Sequence, residues 1–445
     1  MAAQAQVTTG RRLAALSAGF ALAASVSLLH AGPAGAVTGS LPANTVFYTN
    51  PNGSVQRWVA ANPGDAREPV IASRIASQPA ATWYTTYNPT TIQSQISALV
   101  TAAAAKGQVP VLVAYEIPNR DCGGASAGGA PTIANYETWI SNFAAGLGSA
   151  AAVVLVEPDA LSLQGCLSGS DLTARNAAIA FAGHVLRTDD PNAKVYFDGG
   201  HADWNQPAQQ AQALVAAGVT TNADGVFTNV SNFRWTGDEL FYGQQILTDI
   251  GGSSLHLVVD TSRNGIGPGN TWCDPAGRAL GLNPTASTGY ANVDAFLWVK
   301  PPGESDGCAD KAGTFDPALA SALATTAAAG PPSCKVTYSV QSSWATGFVA
   351  NVTVTNTGTN DFGGWTVNWT YPGDQKITNL WQANFTQTGE TVAAHDDYFS
   401  PGATIAPGGS ATFGMQGTFS ASNAAPASFT MTADNAGTPT TCTTG

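Results

Sequence analysis

The sequence predicts an α/β protein: an irregular parallel α/β barrel of distorted TIM type, followed by a separate all-β antiparallel sandwich. Three observations predict it. From residue 45 to residue 299 short apolar runs alternate with amphipathic stretches of helical length, the pattern of a parallel sheet covered by helices. One run, Val153-Val154-Leu155-Val156, is branched and unbroken, as expected of a strand buried on both faces. After residue 329 the helical period vanishes and alternation at period two replaces it.

Taken in order, the chain opens on a processing signal. Arg11-Arg12 start a positive region, residues 13–29 form an Ala-rich apolar core, and Ala34-Gly35-Ala36 supplies the small residues of a cleavage site. Residues 1–36 are therefore expected to be a signal peptide. The paired arginines raise twin-arginine export, but Gly10 and Leu13-Ala14 fit that motif poorly, which favours general secretion. No later stretch is long and apolar enough to span a bilayer, and a secreted monomer is expected.

The catalytic region is expected over residues 37–329, with candidate strands at 46–49, 83–87, 109–115, 153–156, 194–197, 225–228, 255–259 and 295–299. Helix-like segments at 91–105, 135–147, 171–187, 207–217 and 238–250 lie between them. Eight short strands over about 250 residues suit a closed or nearly closed barrel better than an open sheet. A Gly-x-Gly-x-x-Gly after the first strand is missing, so a dinucleotide fold has no support. Pro331-Pro332 sits in a short linker at 330–333, and 334–445 reads as a sandwich of about 110 residues. Its alternating segments include Phe348-Val349-Ala350-Asn351-Val352 and Trp365-Thr366-Val367-Asn368-Trp369. Cys334 and Cys442 stand at its two ends; a bridge between them would contribute roughly 4–5 kcal/mol in the chain-entropy model.

Composition narrows the partners. Charged residues make up only 10% of the 445, and 17 basic against 29 acidic residues give a net charge of −12. That balance argues against nucleic acid or an anionic membrane surface. The 11 tryptophans and the abundant Gly, Ala, Thr and Asn suit neutral polar ligands outside the cell. Six cysteines in an exported chain imply disulfides. None forms a Cys-x-x-Cys and the histidines lack zinc-ligand spacing, so neither a metal nor a cofactor is expected.

Four candidate strands run into carboxylates or polar clusters. They lead to Arg120-Asp121-Cys122, to Glu157-Pro158-Asp159, to Asp198-Gly199-Gly200-His201-Ala202-Asp203-Trp204, and to Lys300-Pro301-Pro302-Gly303-Glu304-Ser305-Asp306. Ligands bind at the carboxyl ends of parallel strands. Pro158 is expected to hold Glu157 extended and to leave Asp159 little freedom; a helix-capping role for Asp159 is the alternative. Carboxylates crowded together raise one another's pKa, a cost tolerated where a protonated acid must stand near an ionised base. Acids and aromatics without a metal site or a nucleophile triad point to glycoside hydrolysis.

These stretches resemble glycoside hydrolase family 6. Val113-Ala114-Tyr115-Glu116-Ile117-Pro118-Asn119-Arg120-Asp121-Cys122-Gly123 is similar to its first signature and Val154-Leu155-Val156-Glu157-Pro158-Asp159-Ala160-Leu161-Ser162 to its second. The blocks around Asp198 and Asp306 resemble two more, in order. The resemblance implies an inverting hydrolase of β-1,4-glucan with Asp159 as general acid. Asp121 would raise the pKa of Asp159 and help relay the water's proton, Asp306 would be the other proposed base, and Asp198 would support substrate distortion. Inversion needs the acid and base roughly 6.5–9.5 Å apart. Tyr115 would crowd the distorted sugar; His201, Trp204, Asn232, Trp272, Lys300 and Glu304 match sugar contacts, with Trp58 and Trp83 as further candidates. Trp204 and Trp83 could instead be core, and Lys300 could pair with Glu304 or Glu157. Glu157 is expected as an anchor and Arg120 as an orienting cation. The family pattern pairs Cys122 with Cys166 and Cys273 with Cys308.

Gly124-Ala125-Ser126-Ala127-Gly128 satisfies the esterase motif Gly-x-Ser-x-Gly, but that elbow requires a tight strand-to-helix turn, and a glycine-rich loop is expected here. Ser126 is instead a candidate to hold the catalytic water. Residues 334–442 resemble a family 2 cellulose-binding module. Trp344 and Trp381 match two of its three surface aromatics, Trp365 and Trp369 read as core, and the third Trp is replaced in Asp397-Tyr398-Phe399, where Tyr398 or Phe399 could serve. Short loops before Asn135 and Cys273 favour an open cleft and cleavage of internal bonds of cellulose and related β-1,4-glucans. An exo-acting cellobiohydrolase and a non-catalytic glucan-binding protein are the alternatives.

Overall fold

The computed structural model describes residues 41–252, 254–290, 292–326, 333–359, 362–396, 404–433 and 440–445. The expected signal peptide, Tyr398, Phe399 and most of the expected linker lie outside these residues. Seven parallel strands form one sheet in sequential order: β1 Thr82–Tyr84, β2 Val111–Ala114, β3 Ala152–Val156, β4 Ala193–Asp198, β5 Gly225–Thr228, β6 His256–Asp260 and β7 Val293–Leu297. Sequential order with helical crossovers curls the sheet into a half-barrel. The expected strand at 46–49 does not form; one isolated bridge, Phe47 to Val109, stands in its place. On the other side the Ala81 N–H donates to the Trp298 carbonyl at 2.9 Å, a contact outside any strand ladder.

The strands are apolar on both faces because both faces are covered. Val113, Tyr115, Val153, Leu155, Tyr196, Phe227, Val258 and Leu297 fill the interior. Leu112, Val154, Val156, Val195, Phe197 and Val226 pack outward against the helices. Those helices are α3 Ile92–Ala104, α4 Ile133–Leu147, α5 Gly169–Asp189, α6 Pro207–Ala216 and α8 Thr236–Ile250, all foreseen, together with the four-residue α7 Val219–Asn222. The α4 and α5 starts are capped by the Thr132 and Ser168 side chains. Two further helices escaped prediction, α1 Ser54–Ala61 and α9 Pro317–Thr325. With the short helix α2 Glu68–Ile71 they enclose a separate apolar cluster around Ile71, Trp298 and Leu323.

The C-terminal region is a sandwich of two five-stranded sheets. One places Gly347–Asn356 between Cys334–Trp344 and Ser410–Thr418; the other is built around Trp365–Thr370. Inward-facing Val352, Trp365, Trp369, Phe413 and Met431 make its core, which confirms the reading of Trp365 and Trp369. All three disulfides form: Cys122–Cys166, Cys273–Cys308 and Cys334–Cys442.

Trp344 and Trp381 are 45% and 38% exposed. Each sits over a glycine on the neighbouring strand, Gly347 and Gly414 respectively. A Cβ on Gly347 would come within 2.5 Å of the Trp344 ring, and one on Gly414 within 2.3 Å of the Trp381 ring. The bare backbone is what lets both indoles lie down against the sheet.

Candidate active site

The carboxyl ends of the strands open into a cleft of about 1240 Å³. Tyr115, Asp121, Ser126, Asp159, His201, Trp204, Asn232, Trp272, Lys300, Glu304, Asp306 and Trp83 all line it. Sequence positions spread over more than half the chain thus converge because parallel strands end on one face.

β3 delivers the central acid. Beyond Val156 the chain does not stay extended: Glu157 has φ +50° and Asp159 φ +69°, contrary to the expectation for a residue before proline. The tight turn tucks the Glu157 side chain inward, where its carboxylate accepts the N–H groups of Glu116 and Ile117 at 2.9 Å. Glu157 ties β3 to the end of β2. Burial pushes its carboxyl up to about 8.

Asp159 faces the cleft. Burial, then the Asp198 charge, then the Asp121 charge push its carboxyl up to about 7. Tyr115 Oη stands 3.3 Å from Asp159 Oδ2 and 2.9 Å from Ser126 Oγ. The Ser126 N–H and hydroxyl donate to Asp121 Oδ2 at 2.8 and 2.9 Å. A continuous chain of polar contacts therefore links Asp121 to Asp159 through Ser126 and Tyr115. Asp121 (φ +54°) and Cys122 (φ +47°) form the sharp turn that brings this about, next to the Cys122–Cys166 bridge. Gly124 is needed there, since a Cβ would meet the Asp121 carboxylate at 2.6 Å. Ser126 lies in this loop and not between a strand and a helix, so the esterase elbow is not formed.

Arg120 was expected to orient neighbouring carboxylates; it pairs with that of Glu116 and otherwise braces the turn through carbonyls. Its guanidinium pairs with Glu116 at 3.0 Å, donates to the Ser126 and Tyr115 carbonyls, and stacks 4.7 Å over the Tyr115 ring. Trp83 meets Tyr115 edge-on with centroids 5.4 Å apart and donates its indole N–H to the Val299 carbonyl at 2.7 Å.

Two sequence-based placements change. Asp198 does not line the cleft; it lies beneath it, 2% exposed, accepting from Ser162 N–H and Oγ and from Gly200 N–H. Its reach to the acid is electrostatic, and it outweighs Asp121 in raising Asp159. Trp58 is not in the cleft either. It packs on Phe315 with centroids 5.8 Å apart and lies under Arg67, because α1 turns that face to the second apolar cluster.

On the far rim, His201 packs against Trp204 with ring centroids 5.0 Å apart and planes tilted by 33°, and burial pushes the imidazole down to about 4, so it stays neutral. Lys300 pairs with neither Glu304 nor Glu157. Its ammonium donates to the Ser305 carbonyl at 3.0 Å and stands 3.5 Å from Asp306 Oδ1. Glu304 instead accepts from Ser54 Oγ at 2.6 Å. Asp306 Oδ2 accepts from the Arg263 guanidinium at 2.9 Å and the Asp274 N–H at 3.1 Å. Arg263 itself is buried and stacks 4.2 Å over Phe233.

Sequence reasoning missed Asp260, Arg263 and Asp274. Asp260 ends β6 and accepts the Lys300 N–H at 2.9 Å, fixing the start of the loop that carries Lys300, Glu304 and Asp306. Val258-Val259-Asp260 carries the same strand-into-acid signal as the four stretches that were read, and could have been found. Arg263 and Asp274 carry no such local signal.

A curled parallel sheet whose carboxyl edge gathers several carboxyl groups and tryptophans in one open groove defines a polysaccharide-cleaving glycosidase. The chain belongs to glycosyl hydrolases family 6, whose pattern matches residues 43–333, and residues 334–436 match the cellulose binding domain. It is a family 6 hydrolase acting on cellulose. It is 42% identical over 439 residues to endoglucanase A of Thermobispora bispora, covering 91% of this chain and 94% of that one. The solved endoglucanase Cel6 of Mycobacterium tuberculosis, in complex with a methyl-cellobiosyl thio-cellobioside, superposes with a TM-score of 0.59 at 39% identity, over 63% of this chain and 97% of that one. A probable 1,4-β-D-glucan cellobiohydrolase C of Aspergillus terreus is 30% identical over 309 residues, covering 59% of this chain and 66% of that one.

Proposed function

We propose that this protein is a secreted, monomeric, inverting endo-β-1,4-glucanase in which Asp159 protonates the glycosidic oxygen. The observation that carries the proposal is the state of Asp159: a carboxyl facing the cleft, raised to about 7, with a tyrosine hydroxyl on one oxygen. At mildly acidic pH it holds the proton that the leaving sugar needs. The attacking water gives up its proton to Asp121 through Ser126, or to Asp306. Burial and Asp198 keep Asp159 loaded, while Tyr115 crowds the sugar at the bond to be cut. Trp83, Trp204 and Trp272 offer ring faces to pyranose rings, and His201, Asn232, Lys300 and Glu304 offer polar contacts to their hydroxyls. Trp344 and Trp381 hold the module on cellulose.

Exposed rims support the endo reading. Gly123, Gly124 and Ala125 are exposed on one side, and Asn270, Thr271 and Trp272 on the other, Trp272 at 58%. A chain can enter such a groove from the side. The exo reading draws on the cellobiohydrolase relative and on one close approach beside the cleft, where a Cβ on Gly307 would come within 2.9 Å of the Ala125 Cβ. A time course on carboxymethyl cellulose separates the two. Endo cutting drops viscosity long before reducing ends accumulate; slow viscosity loss with early cellobiose would overturn it. Inversion is checked by NMR of the first product, which should be the α-anomer.

A further inference from the structure

The loop that carries Asp306 is organised by an acid outside every motif. Asp274 Oδ1 accepts the Asp306 N–H at 2.7 Å. Its Oδ2 accepts from Ser305 Oγ at 2.7 Å, the Cys308 N–H at 3.0 Å and the Ala309 N–H at 2.8 Å. The Asp274 N–H in turn donates to Asp306 Oδ2 at 3.1 Å. Each aspartate thus holds the other's backbone N–H with its own carboxylate, across 32 residues of sequence.

The rest of the loop closes around this exchange. Ser305 Oγ accepts from the N–H groups of Gly307 and Asp310 at 3.0 and 3.1 Å. Asp274 itself sits at φ +43°, a conformation that a non-glycine residue holds only where its surroundings fix it. Burial would raise its carboxyl, but the Ala309 and Asp306 N–H groups, the Ser305 hydroxyl and the Cys308 N–H outweigh that and hold it at about 2. It is an anion throughout the range in which a carboxylic-acid catalyst works.

We infer that Asp274 is a positioning residue for hydrolysis, setting the orientation of the Asp306 carboxylate in the cleft; the inference rests on the reading of Asp306 as a participant. The neighbouring Cys273–Cys308 bridge fixes a Cα separation of 5.9 Å but does not direct the peptide N–H groups between them. Asp274 does. It holds Asp306 Oδ2 against Arg263 and leaves the buried Oδ1 3.5 Å from the Lys300 ammonium.

The test is Asp274→Asn, which keeps size but turns an amide N–H₂ toward the donors of the loop. On a soluble cello-oligosaccharide kcat should fall roughly ten- to hundredfold, the scale of a misplacement of about 1 Å. KM should stay within about twofold, and cellulose adsorption should not change. Asp306→Asn measured beside it tests the reading beneath: full activity there removes Asp306 from the reaction whatever Asp274 does. In that background Asp274→Asn should cost less than about twofold more. The same fold loss in both backgrounds would mean a purely structural role and overturn the inference, as would an Asp274→Asn enzyme within about twofold of the original kcat. Should Asp274→Asn fail to fold, Ser305→Ala removes one donor and leaves the acid. Its kcat should drop about two- to tenfold at unchanged KM, and an unchanged kcat would overturn the inference.

Discussion

Replacing Asp159 with asparagine should separate proton donation from every other contribution to catalysis. A carboxyl held at about 7 against an ordinary 3.8 binds its proton about 4 kcal/mol more tightly than an ordinary aspartic acid does. The preference comes first from burial and then from Asp198 and Asp121. At pH 5.5 nearly every molecule therefore has the acid loaded, and activity should decline along an alkaline limb near pH 7. Asparagine fits the same space beside Tyr115 but has no proton to give. On cellulose kcat should fall about 10²–10⁴-fold, the range of general acid catalysis. On dinitrophenyl cellotrioside, whose leaving group departs without protonation, the loss should stay within about tenfold. The alkaline limb of kcat/KM on that substrate should also vanish. Equal losses on the two substrates, or a limb that stays in place, would refute Asp159 as the donor.

Other outcomes follow from the same geometry. Glu157 is raised to about 8 from 4.5, so its contribution to stability is complete below about pH 4.5 and disappears as pH rises to about 8. Glu157→Gln keeps one oxygen for the Glu116 and Ile117 N–H groups, and a series of melting temperatures should decline less steeply over that window than for the original enzyme. Asp198→Asn should move the alkaline limb of activity toward lower pH, because it removes the largest charge acting on Asp159; a limb unmoved in stopped assays from pH 5 to 9 would count against that ranking. Trp381→Ala should weaken adsorption to crystalline cellulose about tenfold or more in a depletion assay and leave hydrolysis of soluble oligosaccharides untouched. Cys273→Ser with Cys308→Ser should lower kcat less than Asp274→Asn does, if the carboxylate and not the bridge directs the loop.

Much of the fold was legible because buried parallel strands are written as branched apolar runs. Val153 to Val156 could hardly be anything else. The run at 46–49 misled because Phe47 and Leu41 supply apolar surface to the barrel interior without pairing as a strand. Composition reports burial but not hydrogen bonding. α1 was missed because its eight residues carry neither a side-chain cap nor an acidic first turn, whereas α9 announced itself through Asp316 and Pro317 and was overlooked.

Within the site, acids at strand ends were readable and their neighbours were not. Asp159, Asp121 and Asp306 lie in the segments that leave the ends of β3, β2 and β7, so strand order alone puts them on the carboxyl side of the sheet. Trp58 shows the limit: a tryptophan in a loop-like stretch has no visible facing until its helix is known. Asp198 was found but placed one layer too high, since strand-end position does not tell whether Ser162 and Gly200 will draw the side chain downward. Arg263 and Asp274 act on a residue more than thirty positions away. No local pattern encodes such a contact.

The two glycines under Trp344 and Trp381 bear on how the module meets a solid. A tryptophan free to rotate would surrender about 0.5–1.5 kcal/mol when immobilised on a surface. Here the strands opposite have already set each ring's plane during folding, so adhesion draws on stacking with little ordering cost. The plates are stiff before cellulose arrives. Under the proposed role of these rings, two glycines tune affinity from beneath them, and a methyl group added at Gly414 should tilt the Trp381 ring.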